Sequence, residues 1–195
     1  MPKDARPGFA LWLTGLPSSG KTTLAHALRR LLAERGIAVQ ILDSDELRRR
    51  LTPNPTYSAE ERDWFYGIIT FLAELLTTNG VNVLIAATAA RRAYRQAARE
   101  RIPRFAEVHV ECAPEVCRAR DPKGLWQRAD RGEITNLPGA GVPYEAPDAP
   151  EARVDTARHS AEAAAHRVLK QLDARGFPAN WDALDPTTYI PIEKT

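Results

Sequence analysis

Cysteine is close to absent from this 195-residue chain: Cys112 and Cys117 are the only two. They cannot form a disulfide framework, and they are read as reduced, buried thiols, with a redox bridge across the strand-to-helix junction as the alternative. Four histidines, at 26, 109, 159 and 166, are scattered without the spacing of a zinc site. There is no excess of charge of either sign: 27 Lys and Arg stand against 25 Asp and Glu, a net of +2. That excludes a globally basic surface for nucleic acid or an acidic membrane, and any basic site must be local. No apolar run approaches the roughly 20 residues that cross a bilayer. The opening MPKDARPGFALWLTG lacks an adequate signal-peptide core and runs directly into a glycine loop, so it reads as a first strand. Internal repeats are absent, and a mild enrichment in alanine is the sole compositional bias. The expectation is a cytoplasmic protein whose partner is a small molecule.

What is present is a globular composition, 44% hydrophobic and 27% charged, on a length that suits one domain at roughly 100–200 residues each. Short apolar runs alternate with segments of helical period, the signature of parallel strands joined by crossover helices. Strands are expected at 9–13, 38–42, 82–86, 107–111 and, more weakly, 152–155. Helices are expected at 21–34, ended by Gly36; at 46–51; from the capping-box sequence Ser58-Ala59-Glu60-Glu61 to Thr78; and at 159–174. Periodicity fails from about 121 to 150, where Gly and Pro recur. A stretch of that length without structure is read as a lid. One domain over 1–176 and a tail over 177–195 result, the tail either covering an apolar patch with Trp181 and Tyr189 or hanging loose.

The strongest motif is Gly15-Leu16-Pro17-Ser18-Ser19-Gly20-Lys21-Thr22, a full G-x-x-x-x-G-K-[ST] between a predicted strand and a predicted helix. Glycines let backbone N–H groups curl around phosphate oxygens, and the helix N-terminus adds its positive dipole end. Gly15, Pro17, Ser18, Ser19, Gly20, Lys21, Thr22 and Thr23 are therefore the expected nucleotide site. Lys21 would reach the β- and γ-phosphates, and the Thr22 hydroxyl would ligate Mg²⁺. The second strand ends in Asp43-Ser44-Asp45, at the carboxyl edge where open α/β sheets bind ligands. One carboxylate can organise the metal's waters and the other can accept a proton from an attacking hydroxyl. The alternative is an Asp pair that caps the next helix. No N-K-x-D element reads a guanine, so a small-molecule kinase is favoured over a GTPase.

From about residue 8 to 173 the chain resembles the adenylylsulfate (APS) kinase family. The resemblance is carried by LWLTGLPSSGKTTLAHAL, LDSDELRRRL, YSAEERD, FAEVHVECAPEVCRARDPKGLWQRA, GEI, PYEAP and VDT. It implies a P-loop NTPase-type three-layer sandwich, a mainly parallel five-stranded sheet with helices on both faces and a lid. It also implies ATP and Mg²⁺ as cofactors, phosphorylation of the 3′-hydroxyl of APS to PAPS, and a homodimer. Carried over by position, Asp45 would be the catalytic base, with Asp43 organising Mg²⁺ through water. Arg48 and Arg62 would hold the phosphosulfate, Tyr57 would stack on the adenine where the family has phenylalanine, and Lys123 would reach the substrate from the lid. Arg118 and Arg120 would lie near the ATP phosphates or base, or else pair with helix-face carboxylates.

The departures cluster on the acceptor side. The family's E-E-N and two arginines are replaced by Asp63-Trp64-Phe65-Tyr66-Gly67-Ile68, and its F-I-S-P by Ala87-Thr88-Ala89-Ala90. Its lid G-F-T-G becomes Leu137-Pro138-Gly139, and an arginine before G-E-I becomes Asp130. Phe65, Thr88 and Leu137 are the expected acceptor-pocket residues at these positions. Trp64 and Phe65, beside Ile68 and Ile69, read as core, with a stacking shelf as the alternative. Because a site built to hydrogen-bond one substrate rejects others by up to about 10⁴–10⁵, two further functions stay open. One is a related kinase with another nucleotide-like or small hydroxyl acceptor, and the other is a non-catalytic nucleotide-binding module.

Overall fold

A computed structural model describes residues 7–178. Its centre is a five-stranded, wholly parallel sheet in the order β2-β3-β1-β4-β7. The strands are β1 (Ala10–Thr14), β2 (Val39–Asp43), β3 (Asn82–Ala86), β4 (Phe105–Glu111) and β7 (Ala152–Asp155). β1 and β3 are buried at every residue, as parallel strands covered on both faces must be. Edge strand β2 buries only Leu42 fully. Helices α1 (Lys21–Glu34) and α7 (Ala161–Ala174) cover one face over Leu11, Leu13, Val108 and Val154. Helices α3 (Ala59–Thr78) and α4 (Arg92–Arg101) cover the other over Trp12, Val83 and Ile85. The sandwich has the expected three layers.

β1 and β2 each sit one residue later than expected, α4 was not expected, three further boundaries move and one region changes character. β4 begins two residues early, at Phe105, and α7 begins at Ala161 because Ser160 caps it by accepting from the Ala163 N–H. Helix α2 (Ser44–Leu51) starts before the expected 46, because Asp43 is its N-cap and accepts from the N–H groups of Asp45 and Glu46. Ser58 caps α3 by accepting from Glu61, but the reciprocal arm of the box is diverted. The Glu61 carboxylate instead accepts from the N–H groups of Thr56 and Tyr57 and from Arg48. The stretch 121–150, expected to lack structure, contains α6 (Leu125–Asp130) and a small pair β5 (Leu137–Pro138) and β6 (Gly141–Val142). Helix α5 (Pro114–Arg120) precedes it. Trp126 and Leu137 fold this segment onto Cys117, with Leu16 and Ile134 around them, so a small core of its own gives it structure. Cys117 is buried but Cys112 only partly. Phe177 packs edge-on against Phe9 at 6.1 Å; Trp181 and Tyr189 lie outside the described residues.

Candidate functional site

All parallel strands end on the same side of the sheet, and the loops there surround a cavity of about 1160 Å³. The loop after β1 forms its floor. Gly15 approaches β4 so closely that a Cβ would come 2.4 Å from the Val110 carbonyl oxygen, and Gly20 takes φ +89 as it turns the chain into α1. Only glycine meets both demands at no steric cost. Lys21 lies back over the loop and donates to the carbonyls of Gly15 (3.0 Å) and Leu16 (2.8 Å). Desolvation pulls its pKa from 10.5 to about 8 against the opposing pull of Asp45. The Ser19 hydroxyl is buried without a hydrogen-bond partner. Thr156, at the end of β7, donates to the Ser19 carbonyl at 2.7 Å and receives Arg120 through both its hydroxyl and its carbonyl. The V-D-T sequence at a strand's carboxyl end was the signal for this tie, and no role was read from it.

Thr22 and Asp43 meet: the threonine hydroxyl donates to the carboxylate at 2.6 Å. No group of three or more His, Cys, Asp or Glu that could hold a metal exists among the described residues. A hydroxyl beside one carboxylate, with no protein cage, suits a hard cation that keeps water and phosphate oxygens in its shell, as Mg²⁺ does. The donor set therefore fits the expected ion. Asp43 also caps α2, so the metal and capping readings of the Asp pair describe the same carboxylate. Asp45 instead faces the cavity and pairs with the Lys123 ammonium.

The residues expected on the acceptor side line the same cavity. Arg48 is largely buried: it bonds Glu61 at 2.6 Å, and its guanidinium lies 3.8 Å from the Phe65 ring centre and 4.7 Å from that of Tyr57. Arg62 donates to the carbonyls of Tyr57 (3.0 Å) and Asn136 (2.5 Å), which ties α3 to the 121–150 segment. Asn136, absent from the sequence-based set, donates back to the Tyr57 carbonyl at 3.2 Å. Tyr57 is 41% exposed with φ +55 and lines the cavity with Arg48, Arg62, Thr88, Lys123 and Leu137.

Three expected residues are placed otherwise. Phe65 is fully buried and contributes as the shelf under Arg48 rather than as cavity wall. Trp64, expected in the core, is 49% exposed, because the helical step from Phe65 turns it outward. Arg118 stands outside the cavity lining. It pairs with Asp130 at 3.4 Å and lies over Trp126, since it occupies the side of α5 that faces α6. Arg120 does line the cavity.

A parallel sheet whose central strand feeds a phosphate-binding loop, with a hydroxyl–carboxylate pair beside it and a second carboxylate facing the same cavity, defines a P-loop phosphotransferase. The adenylylsulphate kinase family profile matches residues 7–155. A probable adenylyl-sulfate kinase of Pyrococcus abyssi is 42% identical over 170 residues, covering 87% of this chain and 98% of that one. The adenylyl-sulfate kinase of Picosynechococcus sp. is 41% identical over the same share of this chain and 96% of its own. The solved APS kinase of Mycobacterium tuberculosis, in complex with AMPPNP and APS, superposes with a TM-score of 0.79 at 33% identity, covering 86% of this chain and 98% of that one. The chain belongs to the adenylylsulfate kinase family.

Proposed function

We propose that this protein transfers the γ-phosphoryl group of ATP to the 3′-hydroxyl of APS, giving PAPS and ADP. The observation that carries this reading is the arrangement around one cavity. The loop lysine, the Thr22–Asp43 pair, Arg48, Arg62, Tyr57 and Asp45 all line it. Gly15 to Thr23 hold the triphosphate, and Arg120 lies at the nucleotide side beside Gly20 and Thr156. A magnesium ion held through Thr22 and the waters of Asp43 would neutralise charge on the phosphate oxygens. Asp45 takes the proton of the 3′-hydroxyl as its oxygen bonds to the γ-phosphorus and the bond to ADP breaks. Tyr57 offers its exposed ring to the adenine, Arg48 and Arg62 offer positive charge to the phosphosulfate, and Lys123 brings the lid to Asp45. Most of the acceleration comes from positioning and fixed charge, as phosphoryl transfer requires.

The decisive experiment is turnover of ATP–Mg²⁺ and micromolar APS by the purified protein, with PAPS and ADP measured. A kcat/KM of about 10⁴ M⁻¹s⁻¹ or more is expected, and Asp45→Asn should lower kcat by roughly 10²–10⁴. ATP binding without PAPS formation would refute the acceptor assignment. It would favour the reading in which another hydroxyl compound takes the phosphoryl group, which the inward packing of Leu137, where the family pattern has an aromatic residue, leaves room for. A cytoplasmic location and a homodimer complete the proposal. Sedimentation at micromolar protein tests the homodimer, for which a monomer mass would count against it.

A further inference from the structure

Tyr66 occupies one of the positions where the chain leaves its family's pattern, and its hydroxyl has unspent capacity. The ring is fixed on two sides: Tyr94 stacks on it at 4.5 Å and 29°, and Phe65 meets it edge-on at 5.7 Å. Its oxygen accepts the Ala89 N–H at 3.0 Å. The carbonyl of the same residue is held by the buried Arg95, so Ala89 is pinned through both its N–H and its C=O and keeps its φ of +43. Tyr66 is only 7% exposed, yet it lines the cavity with Arg48, Arg62 and Thr88. No described residue accepts the phenolic proton.

The O–H of a side chain that lines the cavity is thereby available to donate to an oxygen bound there. The charges of Arg48, Arg62 and Asp45 all reach this group, and burial, the largest influence, raises its pKa. The group thus stays protonated and acts as a donor next to two guanidinium groups. The oxygen that belongs there is an anionic one.

We propose that the Tyr66 hydroxyl is a specificity-determining contact of the acceptor half of the cavity, donating a hydrogen bond to an anionic oxygen of the acceptor's phosphosulfate beside Arg48 and Arg62. This rests on APS being the acceptor. The donor is preorganised, because the ring stack and the Ala89 bond fix it before any acceptor arrives.

Tyr66→Phe tests it. The KM and Kd for APS should rise roughly 10- to 100-fold, the range for a hydrogen bond to a charged group. The kcat and the KM for ATP should stay within about threefold, and the inhibition constant of adenosine, which lacks the anionic group, should move no more than that. A purely structural role, through loss of the Ala89 anchor, would weaken APS and adenosine in the same proportion. That result, or an unchanged KM for APS, overturns the proposal. Should Tyr66→Phe fold poorly, 3-fluorotyrosine placed at position 66 alone keeps the hydroxyl. Its single ¹⁹F resonance should then shift with APS well beyond its shift with adenosine, and equal shifts reject the contact. Failure of the wild-type protein itself to phosphorylate APS would remove the acceptor assignment and this contact with it, which a defect confined to the variant would not.

Discussion

The Lys21 ammonium, laid against two loop carbonyls, sets a proton balance that a nucleotide must change. Its pKa of about 8 lies below the ordinary 10.5. Below about pH 8 both folded and unfolded chains carry the charge and the cost of desolvating it is fully present. Between the two values the unfolded chain binds the extra proton, so stability from this group rises as pH rises. Triphosphate oxygens at Nζ favour the charged form, so binding of ATP–Mg²⁺ near about pH 9 is expected to take up protons. Calorimetry in two buffers of different ionisation enthalpy reads this directly; uptake that persists in Lys21→Met would contradict it. The placement of Lys21 and Thr22 was legible because one short motif carries them, and that of Asp43 because it ends the second strand, where the two segments meet. Tyr66 was not, since its hydroxyl matters only where a loop 23 residues away returns its Ala89 N–H. Asn136 was hidden for the same reason, lying 79 residues from the carbonyl it holds.

Elements were legible where burial leaves a pattern. β3 and β7 have the expected ends, and α1 runs from the lysine of the glycine loop to Glu34 before Gly36. α4 left no such pattern: RAYRQAARER turns Arg95 and Ala98 inward rather than an apolar stripe. Arg95 holds Glu107 and the carbonyls of Ala89 and Glu145, so this helix braces both the loop after β3 and the PYEAP segment through polar contacts. Removing one partner of a buried pair strands the other. Arg95→Met is expected to destabilise the protein by about 3–5 kcal/mol in urea unfolding; a loss below about 1 kcal/mol would show the Glu107 carboxylate relaxing onto Arg99, which already lies 3.8 Å away. α6 escaped notice because six residues between glycines carry too little period, although Trp126 anchors them.

At the scale of the whole molecule the net charge is +2, yet cations gather where the substrates go. Lys21, Arg48, Arg62, Arg120, Lys123 and Arg128 all line the cavity. Long-range attraction of anionic ligands fades as the screening length falls to about 10 Å at 0.1 M salt. Raising ionic strength should therefore lower kcat/KM for both substrates while kcat changes little; a kcat that falls in parallel would place the effect in chemistry. The parallel strand-and-helix alternation was readable from the sequence and the three-layer form followed from the family resemblance, whereas the small core around Trp126 and Leu137 was not readable, since its apolar residues are few and far apart. The Lys123–Asp45 pair spans 78 residues, joining the 121–150 segment to the start of α2. Both side chains are half-exposed, so the contact behaves as a clasp that salt can undo, its grip on the 121–150 segment weakening as ionic strength rises. Lys123→Met should open that clasp, seen as faster proteolysis within residues 121–150, and an unchanged cleavage rate would contradict it.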